Sequence, residues 1–390
     1  MKPFIFLQSF APLPNSPAIM EAFCRKWQSL SPIPIRMRPS LIREWVTSPD
    51  CRGVVVPLGH QDAMAELAGI TCPIVNYSAH LPPPASCLNL RYDSGEIGEI
   101  AADHLCEQGY PHFGYLRLRG CAFSDDRMEA FRQALQKRGH TLEAVFDFVA
   151  PADSPLTYNE LFERAVAEWL APLPRSLGIL SANDTLARDY YWALNALDPD
   201  LLQLQALIGV DDDYPHWVKF SMGPKAPPLT SIRLNYKGLG EACAQSLREA
   251  VVNGDYAPGR VRYVNGAELI RRESSGGFSC GDPLVAQLAR WAANSVEKGE
   301  APGMLALQER FAMPRRLLAE RFRQYTGKSL REFILQMRVQ RAARLLRKTE
   351  LSVAEIAQQC GFNKHADLTE RFGKYMGCSP SEYRTRCLGD

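Results

Sequence analysis

Glu320–Ser329 reads ERFRQYTGKS and Glu370–Ser379 reads ERFGKYMGCS, so the two windows agree at E-R-F-x-x-Y-x-G-x-S with an offset of 50 residues. The agreement runs back to Leu318 and Leu368 and forward to Glu332-Phe333 and Glu382-Tyr383. In each copy Leu318, Phe322 and Tyr325, or Leu368, Phe372 and Tyr375, fall at i, i+4, i+7, which predicts a helix with one inward stripe. Gly327 and Gly377 sit where those helices should end. Ser329-x-x-Glu332 and Ser379-x-x-Glu382 are capping boxes for the helices that follow. A shorter helix precedes each copy. Met304–Phe311 does so in the first, with Pro314 placed to open the next helix. In the second, Ser352–Glu355 is a capping box, Ile356-Ala357 lies inward and Cys360-Gly361-Phe362 makes a tight turn. Short helix, turn and second helix is the helix-turn-helix plan, here in tandem. Leu330–Arg347 joins the copies as one long helix, with Arg338, Arg341, Arg344 and Arg347 among Phe333, Ile334, Met337, Ala342, Leu345 and Leu346.

Charge separates this segment from the rest. Residues 282–390 carry 19 Lys+Arg against 12 Asp+Glu, a net of +7, while residues 1–281 carry 26 against 31, a net of −5. A basic segment behind a mildly acidic body fits one part that meets phosphates and one that does not; a solvated basic surface would give the same count. The 390 residues suggest two or three domains. The 11 cysteines are scattered with no C-x-x-C, which excludes zinc spacing and a paired disulfide scaffold and points to reduced thiols in a cytoplasmic protein. MKPFIFLQSF is too short for a signal segment, and no apolar run is long enough to span a membrane. No metal or other cofactor is expected.

Up to about residue 273, apolar runs alternate with helical patterns. Gly53–Pro57, Pro73–Tyr77, His112–Leu118, Ser176–Leu180 and Gln205–Val210 read as strands. Ser94–Gln108, Asp126–Lys137, Asp184–Leu197 and Lys237–Val252 read as helices, with Leu186, Tyr190, Leu194 and Leu197 aligned on the third. The alternation predicts parallel sheets covered by helices, in two lobes. Ser274–Asp282, SSGGFSCGD, reads as a linker. The expected organisation is thus a bilobal α/β effector-binding and dimerisation domain over 1–273, a linker over 274–282 and an all-α domain over 283–390 with two helix-turn-helix motifs. Ligands of open α/β sheets lie beyond the carboxyl ends of the strands. Asp93, Arg127, Asn183-Asp184 and Asp211 all stand there. Asp, Asn and Arg in a cleft can satisfy sugar hydroxyls, which both donate and accept. Asp93 and Asp184 also precede helices, where capping is an equal explanation.

Residues 285–386 resemble the DNA-binding domain of the AraC/XylS family. The resemblance is carried by A-E-I-A-Q-Q-C-G-F (354–362), R-V-Q-R-A-A-R-L-L (338–346) and G-C-S-P-S-E-Y-R (377–384). It implies that the two second helices enter successive major-groove segments of operator DNA, about 34 Å apart. The outward positions are Arg315, Arg316, Glu320 and Arg323 on the first, and Lys364, His365, Thr369, Glu370 and Lys374 on the second. Many members have Arg where Glu320 and Glu370 stand. Glu can accept from cytosine N4, or it can pair with a neighbouring Arg and read nothing.

Residues 50–273 resemble the effector-binding core of lactose- and galactose-repressor-type regulators, the bilobal fold of periplasmic sugar-binding proteins. The telling pieces are L-R-Y-D-S-G-E-I-G-E-I (90–100), R-M-E-A-F-R-Q-A-L (127–135), G-I-L-S-A-N-D-T-L-A (178–187) and I-G-V-D-D-D (208–213). That resemblance places Asp93, Arg127, Asn183 and Asp211 at ligand contacts, with Phe10 and Trp217 as candidate apolar walls. Sugar-sensing lobes followed by an AraC-type tail resemble the regulators of bacterial xylose operons, which implies a sugar-responsive transcription regulator, xylose as the leading effector, a homodimer, and contact with RNA polymerase. The competing classes are a sugar-binding receptor of the same fold and a sugar-active enzyme. No G-x-S-x-G, P-loop, G-x-G-x-x-G or metal-spaced His cluster supports the enzyme, and no export signal supports the receptor.

Overall fold

The computed structural model describes residues 4–7, 16–26, 32–35, 47–48, 50–59, 65, 70–151, 154–213, 229–275, 282–300, 304–311, 313–326 and 328–388; Phe10, Trp217 and Gly327 lie outside them. Among these residues the N-terminal part builds two six-stranded sheets. The first holds β1 (Phe4–Leu7), β2 (Pro32–Ile35), β3 (Val54–Val56), β4 (Ile74–Asn76), β5 (Leu88–Tyr92) and β11 (Val261–Val264), in the order β11-β5-β4-β3-β1-β2 with every pair parallel. The second holds β6 (Phe113–Arg117), β7 (Ala144–Asp147), β8 (Gly178–Ser181), β9 (Ala206–Val210), β10 (Thr230–Arg233) and β12 (Glu268–Ile270), in the order β12-β10-β9-β8-β6-β7. Only the edge strand β12 runs antiparallel there. Fully apolar strands such as Val54–Val56 are what a sheet covered on both faces requires, and all three of these valines are buried.

Helices supply the covers. Ile19 and Phe23 of α1 (Ser16–Lys26) pack with Leu239, Cys243 and Leu247 of α7 (Tyr236–Val252) in the core of the first lobe. The second core takes Ile97, Ala101 and Leu105 of α2 (Ser94–Glu107), Phe131 and Leu135 of α3 (Ala122–Lys137), Phe162 and Val166 of α4 (Tyr158–Leu170), and Leu186, Tyr190 and Leu194 of α5 (Asp184–Leu197). Leu197, expected in that line, is 43% exposed because the helix ends there. The chain crosses between lobes three times: after β5, after β10 and after β11. A short α6 (Leu201–Leu204) precedes β9.

The C-terminal part contains α8 (Pro283–Glu297), α9 (Met304–Phe311), α10 (Arg315–Thr326), α11 (Leu330–Lys348), α12 (Val353–Gln359), α13 (His365–Met376) and α14 (Pro380–Leu388). The capping boxes at Ser329, Ser352 and Ser379 all form. Two cores result, and α11 serves both. Phe333, Ile334 and Met337 join Leu318 and Phe322 in the first; Val339, Ala342 and Leu346 join Ile356, Leu368 and Phe372 in the second. The repeat extends to side-chain packing. Phe322 meets Phe333 edge-on at 5.4 Å, and Phe372 meets Tyr383 in the same way at 5.4 Å. Tyr325 and Tyr375, read as inward, are 42% and 39% exposed. Each lies in the last turn of its helix, where a tyrosine can leave its hydroxyl in water.

The two parts are docked together. Leu204 is 2% exposed within the first helix-turn-helix core, alongside Val285, Leu288 and Phe322. Arg290 Nη2 donates to the Gln205 carbonyl at 3.0 Å. Ser274, Ser275 and Asp282, all inside the segment expected to be a linker, are buried. Ser274 Oγ donates to Leu207 O at 2.6 Å, and Asp282 caps α8 and binds Arg321 at 2.6 Å.

Candidate ligand cleft and DNA-reading helices

β8 and β9 are parallel neighbours, so their carboxyl ends bring Asn183 and Asp211 to one end of the second sheet. Arg127 reaches the same place from α3. It is 5% exposed, and its Nη1 donates to the Ala182 carbonyl. Its Nη2 lies 3.6 Å from Asp211 Oδ1, and its guanidinium stands 4.8 Å over the Phe123 ring. Burial pushes the Asp211 carboxyl up to about 7, against the pull of Arg127.

Asp211 and Asp212 hold φ of 108° and 56°, a region costly for side-chain-bearing residues. Neighbouring bonds fix them there. Tyr236 donates its hydroxyl to Asp211 O at 2.8 Å, and Asp212 N donates to Ser231 Oγ at 2.9 Å. Asp184 corrects a sequence expectation, for it does not cap α5. Asn183 is the cap, accepting from Leu186 N at 2.9 Å. Asp184 is buried instead, accepting from Ser231 Oγ and Asp213 N at 2.7 Å each. Burial raises its pKa well above the ordinary carboxyl value. Gly209 is required beside it, since a Cβ there would fall 1.9 Å from Asp184 Oδ1.

Asp93 stands at the end of β5 in the other sheet, where it caps α2 by accepting from Gly95 N at 2.8 Å. Its neighbour Tyr92 packs against Tyr236 of the same lobe, the residue that reaches across to the second. The Tyr92 ring meets that of Tyr236 edge-on at 5.9 Å, and Tyr236 holds Asp211. The Tyr92 hydroxyl is buried with no hydrogen-bond partner. Sequence reasoning named Asp93 and Arg127 and passed over Tyr92 and Phe123; Tyr92 adjoins Asp93 at the strand end, and Phe123 precedes Arg127 by one helical turn, which were the available signals. Arg127, Asn183 and Asp211 therefore form one group, and Asp93 belongs to the facing strand end.

On the other domain, Arg315, Arg316, Glu320, Arg323, Lys364, His365, Thr369, Glu370 and Lys374 are all exposed. They lie on α10 and α13, or at the cap of α13 in the case of Lys364. Arg316 Nε contacts Glu320 Oε1 at 2.8 Å, and Glu370 lies 3.7 Å from Arg371. In the free chain these two acids are thus held by neighbouring arginines. Thr369 Oγ1 donates to the His365 carbonyl at 3.0 Å.

A helix-turn-helix domain family matches residues 307–386, and a periplasmic binding protein-like domain family matches residues 102–275. Residues 307–386 thus carry a helix-turn-helix domain of the AraC type, and the chain is a transcription regulator. Ahead of its helix-turn-helix units it carries a periplasmic-binding-protein-like domain. The regulator is 25% identical to the xylose operon regulatory protein of Escherichia coli (strain K12) over 376 residues, covering 94% of this chain and 91% of the relative. It is 22% identical to that of Haemophilus influenzae, over 76% and 74% of the two chains. Its fold is similar to the structure of the xylose-binding transcription activator xylR, with a TM-score of 0.61, 23% identity and coverage of 98% and 97%. These relatives are transcription regulators and not enzymes. Among the described residues no helix is long and apolar enough to cross a membrane.

Proposed function

We propose that this regulator takes a small sugar, with xylose as the leading candidate, in the cleft between its lobes, and that the sugar changes its hold on operator DNA. The observation that carries the reading is the grouping of Arg127, Asn183 and Asp211 at adjoining strand ends, across from Asp93 and the unpartnered Tyr92 hydroxyl. A guanidinium, a carboxylate, an amide and a phenol are donors and acceptors suited to a polyol, and Phe123 supplies an apolar wall. The relatives' names favour xylose among the sugars.

Sugar binding closes the lobes and favours one state of a homodimer in the cytoplasm, whose paired α10 and α13 helices meet two half-sites and allow contact with RNA polymerase. A ligand shifts such a balance only by its differential affinity for the two states. Calorimetry against a panel of pentoses and hexoses, paired with footprinting of a promoter fragment, tests this. One sugar that binds and alters the footprint is the expected result; no heat and no altered footprint with any sugar would refute it.

A further inference from the structure

Two thiols meet at the back of the first lobe. β3 and β4 are parallel neighbours with Val54 opposite Ile74. Cys51 stands shortly ahead of Val54 and Cys72 shortly ahead of Ile74, so the topology brings both to the amino ends of the two strands. Their sulfurs are 3.8 Å apart. Neither cysteine belongs to a strand, and beside them Val54 N donates to the Pro73 carbonyl at 2.9 Å. A disulfide of about 2.05 Å therefore asks for movement of irregular chain and leaves the strand pairing in place. The sugar cleft lies beyond the opposite, carboxyl ends of the strands, so its occupant does not cover this pair.

The chemistry of the pair sets it apart from other thiols of the chain. Both cysteines are half-buried, with part of their surface open to solvent. The hydrogen bond from Cys72 pulls the Cys51 thiol down to about 7 against the effect of burial, so much of it is thiolate at neutral pH. The same bond, and then burial, pushes Cys72 up and keeps its proton in place. Burial raises the thiols of Cys87, Cys106, Cys121 and Cys243 instead. The thiolate is the reactive form of cysteine, and oxidant-sensitive cysteines are accessible, acidic and placed beside a second thiol.

We propose that Cys51 and Cys72 are a reversible oxidation site for hydroperoxides, separate from the sugar cleft and from the DNA-reading helices. The Cys51 thiolate attacks an oxygen of the peroxide; the O–O bond breaks, an alcohol or water leaves, and Cys51 becomes a sulfenic acid. The Cys72 sulfur then attacks the Cys51 sulfur, the S–O bond breaks, and the hydroxyl leaves as water with the Cys72 proton. Two thiols lose two electrons and two protons in all, and the peroxide takes up both. The disulfide closes residues 52–71 into a loop on the first lobe, and a dithiol reductant reopens it. Disulfides of this transient kind are the ones expected in a reducing compartment.

The test treats the reduced full chain with hydrogen peroxide at pH 7 and maps its cysteines by alkylation and mass spectrometry. The expected product is a single chain lighter by two hydrogens, with a cross-linked peptide joining Cys51 to Cys72, restored by dithiothreitol. Its Tm should exceed that of the reduced chain, because the loop is closed in the unfolded state too. Cys72→Ser should halt at a Cys51 sulfenic acid that dimedone traps, and Cys51→Ser should slow oxidation of Cys72 about tenfold or more. Alkylation of Cys51 by iodoacetamide should rise as pH passes through 7. Circular dichroism and melting of the reduced variants check their folding, and mapping of the parent stands without them. The proposal is overturned if peroxide oxidises other cysteines and leaves this pair free, if the bond forms between chains, if Cys51 alkylates as slowly as the buried thiols, or if oxidation lowers Tm. None of these readouts depends on sugar or DNA binding, so failure here leaves the sugar reading untouched.

Discussion

Asp211 combines three unusual conditions: a left-handed backbone, a partly buried side chain and a carboxyl held near pH 7 beside Arg127. Its raised pKa means the folded chain keeps a proton there that the unfolded chain gives up near pH 4. That contribution to stability is therefore full at low pH and is lost as pH rises towards 7. The ionised form is the better acceptor for a sugar hydroxyl. Sugar affinity should accordingly rise with pH up to about 7 and level off above it, as calorimetry across a pH series would show. Asp211→Asn should abolish that pH dependence and weaken sugar binding by about ten- to a hundred-fold, the scale of a charge-assisted bond. The same variant should melt higher than the parent at pH 8 and alike at pH 4; a lower Tm at pH 8 would reassign the residue to structure. Tyr92→Phe removes only the buried, unpartnered hydroxyl, so affinity should fall while stability holds or rises.

At the scale of elements, the tandem repeat places Phe322 and Phe372 at the centres of separate cores on one helix, α11. Truncating either to Ala should cost about 3–5 kcal/mol of local stability. Phe372→Ala should loosen α12–α14 and leave the first unit protected in hydrogen exchange. Phe322→Ala should loosen the first unit and, through Leu204, its seat on the sugar-binding domain. Loss of protection in both units from either change would show that α11 does not insulate them. Among exposed side chains, Arg316→Ala and His365→Ala should weaken specific DNA more than non-specific DNA in competition binding. Equal losses would place both residues at the phosphate backbone. The helices themselves were legible because a 3.6-residue period and Ser-x-x-Glu boxes are local signals. Tyr325 and Tyr375 escaped that reading because periodicity marks a face and says nothing of how far along the helix its partner extends.

For the whole molecule, the joint between domains is packed, and this bears on how a sugar signal can travel. The first helix-turn-helix core includes Leu204 from the other domain, and Arg290 is hydrogen-bonded to Gln205. Movement of the second lobe should carry α8 and the first unit with it. Leu204→Ser should leave sugar affinity and DNA affinity near normal when measured separately, and shrink the effect of one on the other, a coupling typically of about 1–3 kcal/mol. Titrations of DNA with and without sugar would measure it. Specific binding should also fall steeply with salt, with log K dropping about 0.9 per log unit of salt for each phosphate contacted.

By itself the sequence determined the alternation of strands and helices, the two helix-turn-helix units and the residue types at the strand ends, all set by short-range periodicity and capping. Tertiary structure alone decided that Asn183 caps while Asp184 is buried, that Tyr236, packed on Tyr92 in the first lobe, reaches Asp211 of the second, and that Ser274 and Ser275 are fastened to the second lobe. Those outcomes depend on which groups burial brings within a few ångströms of one another, and residues far apart along the chain carry no local trace of it.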